Sequence, residues 1–187
     1  MKFLKFLLIL FISINSPIKA DSNQKIIDEL KNGGKLIFIR HAYAPGGGDP
    51  NNFDINDCNT QRNLSNSGRE HARNIGSFFH VNNISIENIY SSEWCRCKET
   101  ASIAFNQFEK KKFLNSFFSS KFAKNKDIQI KNLKKFIKYW DGDENLIFIT
   151  HYVVINELLN YSSISGEIVI SDKSYNLIGS IVINLNK

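Results

Sequence analysis

Arg40-His41 and His151 each close a near-identical apolar run, Lys35-Leu-Ile-Phe-Ile before the first and Asn145-Leu-Ile-Phe-Ile-Thr150 before the second. Arg96 falls between them in the chain. Together these residue types suit transfer of a phosphoryl group, whose charge spreads over three oxygens and which needs an in-line nucleophile with cations fixed around it. A guanidinium offers paired donors that match phosphate geometry and stays charged at any relevant pH. Neutral imidazole can attack phosphorus and form a covalent intermediate that water then cleaves. Chemistry of this kind calls for no metal and no cofactor, and its partner is a small phosphorylated molecule.

A short continuous run of Leu, Ile and Phe bounded by polar residues predicts a strand buried on both faces, as a parallel sheet requires. Both histidines then sit at carboxyl ends of strands, where ligands bind in open α/β sheets. Between them, β and α signals alternate. Helices are expected from Ser22 to Gly33, from Ser65 or Ser67 to an end near His80 to Asn83, over Cys95 to Phe105, over Ile128 to Trp140 and over Val153 to Leu159. Further strands are expected at Glu87 to Tyr90, Gly166 to Ile170 and Leu177 to Leu185. The pattern predicts an α/β fold: a three-layer sandwich with a central, mostly parallel β-sheet flanked by helices. The stretch Ala42 to Arg62, with Gly46-Gly47-Gly48 and two prolines, is a long loop, expected to form the lid or wall of the cleft.

The 187 residues accommodate one domain. Residues 1–20 carry Lys2 and Lys5, an apolar run from Phe6 to Ile14 and a polar tail ending on Ala20. They read as a signal peptide, with residues 21–187 as the mature domain, exported to the periplasm or secreted. The apolar run is too short to span a bilayer, so no stable membrane insertion is expected after cleavage. Removing Lys2, Lys5 and Lys19 takes the basic count from 24 to 21 against 18 acids, lowering the formal charge from +6 to +3. A nucleic-acid partner thereby loses its main support. Three cysteines, Cys58, Cys95 and Cys97, allow one disulfide and one free thiol, and their spacing does not suit zinc.

The ordered set Phe38-Ile-Arg40-His41-Ala42, Arg62-Asn-Leu-Ser65 with Gly68-Arg69, Tyr90-Ser-Ser-Glu-Trp-Cys95-Arg96-Cys-Lys-Glu-Thr100-Ala101 and Ile149-Thr150-His151 resembles the histidine phosphatase superfamily, phosphoglycerate-mutase-like branch. The resemblance spans residues 35 to 151. It implies His41 as the phosphorylated nucleophile, Arg40 and Arg96 as phosphate ligands, and His151 as a donor to the phosphoryl oxygens. Arg62 is a weaker substrate-binding candidate, as well suited to bracing the loop. The motifs are most similar to those of a small exported subgroup, which implies a Cys58–Cys95 disulfide worth about 3 kcal/mol if unstrained; Cys97 is outside that pattern.

The chain departs from the family at Ala42 and Thr150, where glycine is usual. It departs more seriously in Phe113 to Phe122, where the family often supplies the acid that protonates the leaving oxygen and this chain has no carboxylate. Asp54, Asp57 or Glu93 would have to substitute. Without a strong acid, substrates with good leaving groups, such as aryl phosphates or phosphohistidine, are favoured. The expected activity is a metal-independent phosphatase. The alternatives are a catalytically weak phospho-ligand-binding protein, a phosphoglycerate mutase or, more distantly, a redox or metal-binding protein.

Overall fold

In the computed structural model, residues 18–185 are described. The expected leader lies outside them except for its last three residues, which open the first helix. Six strands form one sheet: β1 (Leu36–Arg40), β2 (Ile86–Ser91), β3 (Glu109–Lys110), β4 (Asn145–Thr150), β5 (Ile168–Ser171) and β6 (Leu177–Ile181). Their order is β3-β2-β4-β1-β5-β6. The β3-β2, β2-β4 and β4-β1 pairs are parallel, while β5 runs antiparallel to both neighbours. The helices are α1 (Ile18–Lys31), α2 (Asn66–Val81), α3 (Cys95–Phe105), the short α4 (Ser120–Ala123), α5 (Lys126–Lys138) and α6 (Tyr152–Leu159).

The two repeated runs are neighbours, paired residue for residue: Leu36 with Leu146, Ile37 with Ile147, Phe38 with Phe148 and Ile39 with Ile149. Side chains alternate across a strand. Ile37, Ile39, Ile147 and Ile149 therefore pack on one face with Leu30 of α1, Ala72, Ile75 and Phe79 of α2, and Cys97 and Ala101 of α3. Leu36, Phe38, Leu146 and Phe148 pack on the other with Leu133 and Ile137 of α5 and Val154, Ile155, Leu158 and Leu159 of α6. These are the three layers expected from the sequence. Phe38 and Phe148 stack at 5.1 Å between ring centroids. Truncating either fully buried ring would cost about 3–5 kcal/mol.

Boundaries shift where local chemistry decides them. Ser65 caps α2, its Oγ accepting from Gly68 N at 3.1 Å, an arrangement worth about 1 kcal/mol. Ser22 does not cap α1, because that helix already begins at Ile18. The helix expected over Ile128 to Trp140 starts and stops two residues earlier, at Lys126 and Lys138. The closing strand ends at Ile181, short of Leu185. Gly68 is dictated by a close approach: a Cβ there would lie 1.9 Å from the Tyr43 carbonyl oxygen. The start of the long loop thus rests directly on the first turn of α2.

Cys58 and Cys95 form a disulfide across a sequence separation of 37 residues. It ties the long loop to the first residue of α3. Gln61 reinforces the tie, its side-chain oxygen accepting from Cys95 N at 2.9 Å. Replacing both cysteines, Cys58→Ser with Cys95→Ser, should lower unfolding free energy by about 3 kcal/mol, on the scale set by loop-closure entropy. Urea denaturation of the two proteins checks this; a loss below about 1 kcal/mol would show that the loop is held by its other contacts.

Candidate active site

His41 and His151 each follow the last residue of a paired strand, and the ladder continues through His41 N–H, which donates to Thr150 O at 3.0 Å. The two imidazoles therefore end up side by side, centroids 5.5 Å apart. Arg96 reaches them from the second residue of α3, just after the Ser92-Glu93-Trp94 connection from β2. Arg40, His41, Arg62, Arg96 and His151 all line one cavity of about 630 Å³. The five residues singled out from sequence for phosphate chemistry are thus brought together.

His41 is buried, and its Nδ1 lies 2.8 Å from the Ala42 carbonyl oxygen. A carbonyl can only accept, so Nδ1 carries the proton and Nε2 carries the lone pair. Arg96 Nε–H donates to that Nε2 at 3.1 Å, which fixes the same tautomer from the other side. Burial, and then the charge of Arg96 with those of Arg62 and Arg40, hold the His41 pKa well below the ordinary histidine value. The ring is accordingly a neutral base with its lone pair in the cavity wall, the form a nucleophile requires.

His151 Nε2 lies 2.9 Å from Ser92 Oγ, and the Cys97 thiol is 3.5 Å away. Ser92 Oγ donates to Asn115 Oδ1 at 3.1 Å, so the His151 ring is the donor in its bond to Ser92. Its Nδ1 has no partner within the protein. Burial and the neighbouring Arg96 hold this histidine neutral as well. Burial pushes the Cys97 thiol up to about 12, so it is a packed, protonated group beneath the site.

The arginines divide into two kinds. Arg40 donates through Nη1 to Ser163 O at 2.7 Å and stands 5.3 Å from the Tyr152 ring centroid, while its Nε has no partner. Arg62 is spent on the loop, donating through Nε to Gly48 O at 3.1 Å and through Nη1 to Ala44 O. It frames the cavity by holding residues 44–48 in place.

The three carboxylates considered from sequence lie elsewhere. The Asp54 side chain accepts from Asn56 N and the Asp57 side chain from Asn59 N, both exposed within the loop. Glu93 accepts from Asn115 Nδ2 at 2.7 Å, and with Asp54 it lines a neighbouring cavity. The carboxylate that does line the cavity is Asp49, which sequence reasoning passed over. Its Oδ1 accepts from Arg96 Nη1 at 2.7 Å and from Arg62 N at 3.1 Å. Its Oδ2 accepts from Arg96 Nη2 at 3.2 Å and from the Trp94 indole at 3.0 Å. Burial alone would raise this carboxyl, but the Arg96 fork and the two further N–H donors outweigh it and hold the group below its usual range. Its place directly after three glycines, inside a loop already expected to wall the cleft, was the available signal.

The remaining wall is aromatic. Tyr43, Phe53, Phe118, Phe122 and Tyr152 surround the polar floor, with Lys121 among them. Of the Phe113 to Phe122 stretch, Leu114 and Phe117 are core, whereas Phe118 is exposed at the mouth. His71 is buried on α2 and bonds the Ile183 carbonyl at 2.8 Å, away from this cavity. Among the described residues, no cluster of three His, Cys, Asp or Glu side chains is placed to hold a metal ion.

No family model and no curated protein matches this sequence. Solved structures do match its fold. The protein histidine phosphatase SixA complexed with tungstate aligns with a TM-score of 0.56 at 15% identity, over 79% of this chain and 96% of that one. The alpha-ribazole phosphatase of Shigella flexneri aligns with a TM-score of 0.52 at 14% identity, over 73% and 89% respectively. TTHB049 of Thermus thermophilus aligns with a TM-score of 0.58 at 12% identity, over 80% and 99%. The chain is built on the fold of the histidine phosphatase superfamily, in its phosphoglycerate-mutase-like form.

Proposed function

We propose that the protein is a phosphatase that hydrolyses small phosphomonoesters, or phosphohistidine, through a covalent phosphohistidine on His41. The observation that carries this reading is the His41 ring itself: buried, neutral, with Nδ1 anchored on a carbonyl and the Nε2 lone pair beside the Arg96 guanidinium. In the first half-reaction Nε2 attacks phosphorus, and the ester oxygen departs. In the second, water attacks the phosphohistidine and releases inorganic phosphate. Arg40 and Arg96 neutralise the phosphoryl oxygens throughout, and His151, whose Nδ1 has no partner in the free protein, donates to the same oxygens through Nδ1 once the arriving anion offsets the arginine charges and the ring takes up a proton. Fixed cationic donors aimed at developing charge contribute more in a buried site than in water. The aromatic wall suits a leaving group with a flat apolar face. Fold likeness to SixA and the ribazole phosphatase supports phosphoryl chemistry at this cleft without naming the substrate.

Export of the domain belongs to the same proposal. The Cys58–Cys95 disulfide persists in oxidising compartments, and among the described residues no helix is long and apolar enough to cross a membrane. A second reading, a phospho-ligand-binding protein with little turnover, is favoured by one observation: the Arg96 fork is already occupied by Asp49.

Residues 21–187 should hydrolyse p-nitrophenyl phosphate in the presence of chelator. His41→Ala should abolish this activity, while His71→Ala leaves it nearly intact. Arg96→Ala should cost at least about 2 kcal/mol of transition-state stabilisation, roughly 30-fold in kcat/KM. Equal losses in the two histidine variants would contradict the assignment, and phosphate binding without turnover would favour the second reading.

The sign of the histidine shifts sets the pH profile. Because the His41 pKa is lowered in the folded protein, the ring stays unprotonated as pH falls through 6.5, the ordinary histidine value. The acid limb of kcat/KM should therefore lie well below pH 6.5. A limb centred at 6.5 would show that the nucleophile is solvated like a free histidine.

A further inference from the structure

We propose that Asp49 is the acid–base group of this site, held on Arg96 until an entering phosphoryl group takes its place. The inference rests on the phosphatase reading above and supplies the proton donor that the Phe113 to Phe122 segment lacks. Asp49 is the one carboxylate among the residues lining the cavity. It sits across a single guanidinium from the nucleophile: Arg96 touches His41 Nε2 through Nε and Asp49 through Nη1 and Nη2. Asp54, Asp57 and Glu93 are each committed to partners outside the cavity.

In the free protein Asp49 is a carboxylate with donors on both oxygens, and such a group cannot give a proton. A phosphoryl group arriving at His41 competes for the same Nη donors, because a carboxylate and a phosphate ask the same fork geometry of arginine. Once displaced, Asp49 loses its strongest counter-charge and gains an anion as neighbour, and both changes favour its protonated form. The carboxyl takes its proton from the entering monoanionic ester or from solvent. The phosphorus–ester oxygen bond then breaks as the phosphorus–Nε2 bond forms, and the Asp49 proton passes to the leaving oxygen. When water attacks the phosphohistidine, its proton returns to the Asp49 carboxylate as the phosphorus–Nε2 bond breaks. Trp94 and Arg62 N–H groups, with Arg62 clamping Gly48, keep the carboxylate within reach.

The test is kcat/KM of Asp49→Asn against p-nitrophenyl phosphate and phenyl phosphate. This isosteric change removes the proton, and because its NH2 cannot accept from the N–H groups that meet both Asp49 oxygens, it also brings a loss common to both substrates. The p-nitrophenolate leaves with far less help, so that substrate should lose at least about thirtyfold less than phenyl phosphate does. Phenyl phosphate should lose about 100-fold or more, the range of general acid catalysis. The basic limb of the wild-type pH profile with phenyl phosphate should also disappear. Equal losses on both substrates, or none on either, overturn the proposal for Asp49. A failure of the underlying reading is seen separately, as activity surviving in His41→Ala. If Asp49→Asn does not fold by circular dichroism, Asp49→Ser takes its place with the same expected ratio.

Discussion

The parallel pairing of β1 with β4 is the constraint on which the rest of the molecule depends. Four matched pairs, Leu36 to Ile39 against Leu146 to Ile149, lie between two helical layers and are almost wholly buried. A one-residue slip would turn every one of these side chains to the opposite face, moving Phe38 away from Phe148 and exchanging the contents of both cores. The register that packs the sheet is also the register that sets His41 beside His151. Stability and site geometry therefore have one origin, and a substitution in the central strands reaches the chemistry through the backbone.

Around that pair, burial and then the neighbouring charges keep imidazole neutral. Arg40, Arg62 and Arg96 bring three permanent cations to a cavity whose two histidines are buried. Burial first, and then each of these charges, lowers the histidine pKa values, so each ring keeps a lone pair without a separate base. Such concentrated positive charge is costly to bury unless paired. The carbonyls of Ser163, Gly48 and Ala44 and the carboxylate of Asp49 answer that cost. Asp49 thus serves the folded state as a counter-ion before any substrate is present.

Much of this is legible in the sequence because the residues concerned are dictated by backbone position. The strand runs, the capping Ser65, the Cys95 helix and the placement of Arg40, His41, Arg96 and His151 follow from periodicity and motif order. The Cys58–Cys95 bond follows from the resemblance rather than from spacing. What escapes is set by tertiary contact. Asp49 does not stand out beside Asp54 and Asp57 because a long loop has no period, and only the fold shows which of its carboxylates turns inward. The sequence suits Arg62 to bracing or to binding, and its contacts are those of a brace. Likewise Phe118 belongs to the mouth while Phe117, its neighbour, belongs to the core, a division that alternation within an irregular segment does not reveal.

Phosphorylation of His41 is tested by mixing residues 21–187 with a phosphomonoester, quenching with base and locating the modification by mass spectrometry. One acid-labile, base-stable phosphate should appear on His41 and be absent from the His41→Ala protein. Turnover with no phosphoprotein at any time, or with phosphate on another residue, would contradict the assignment.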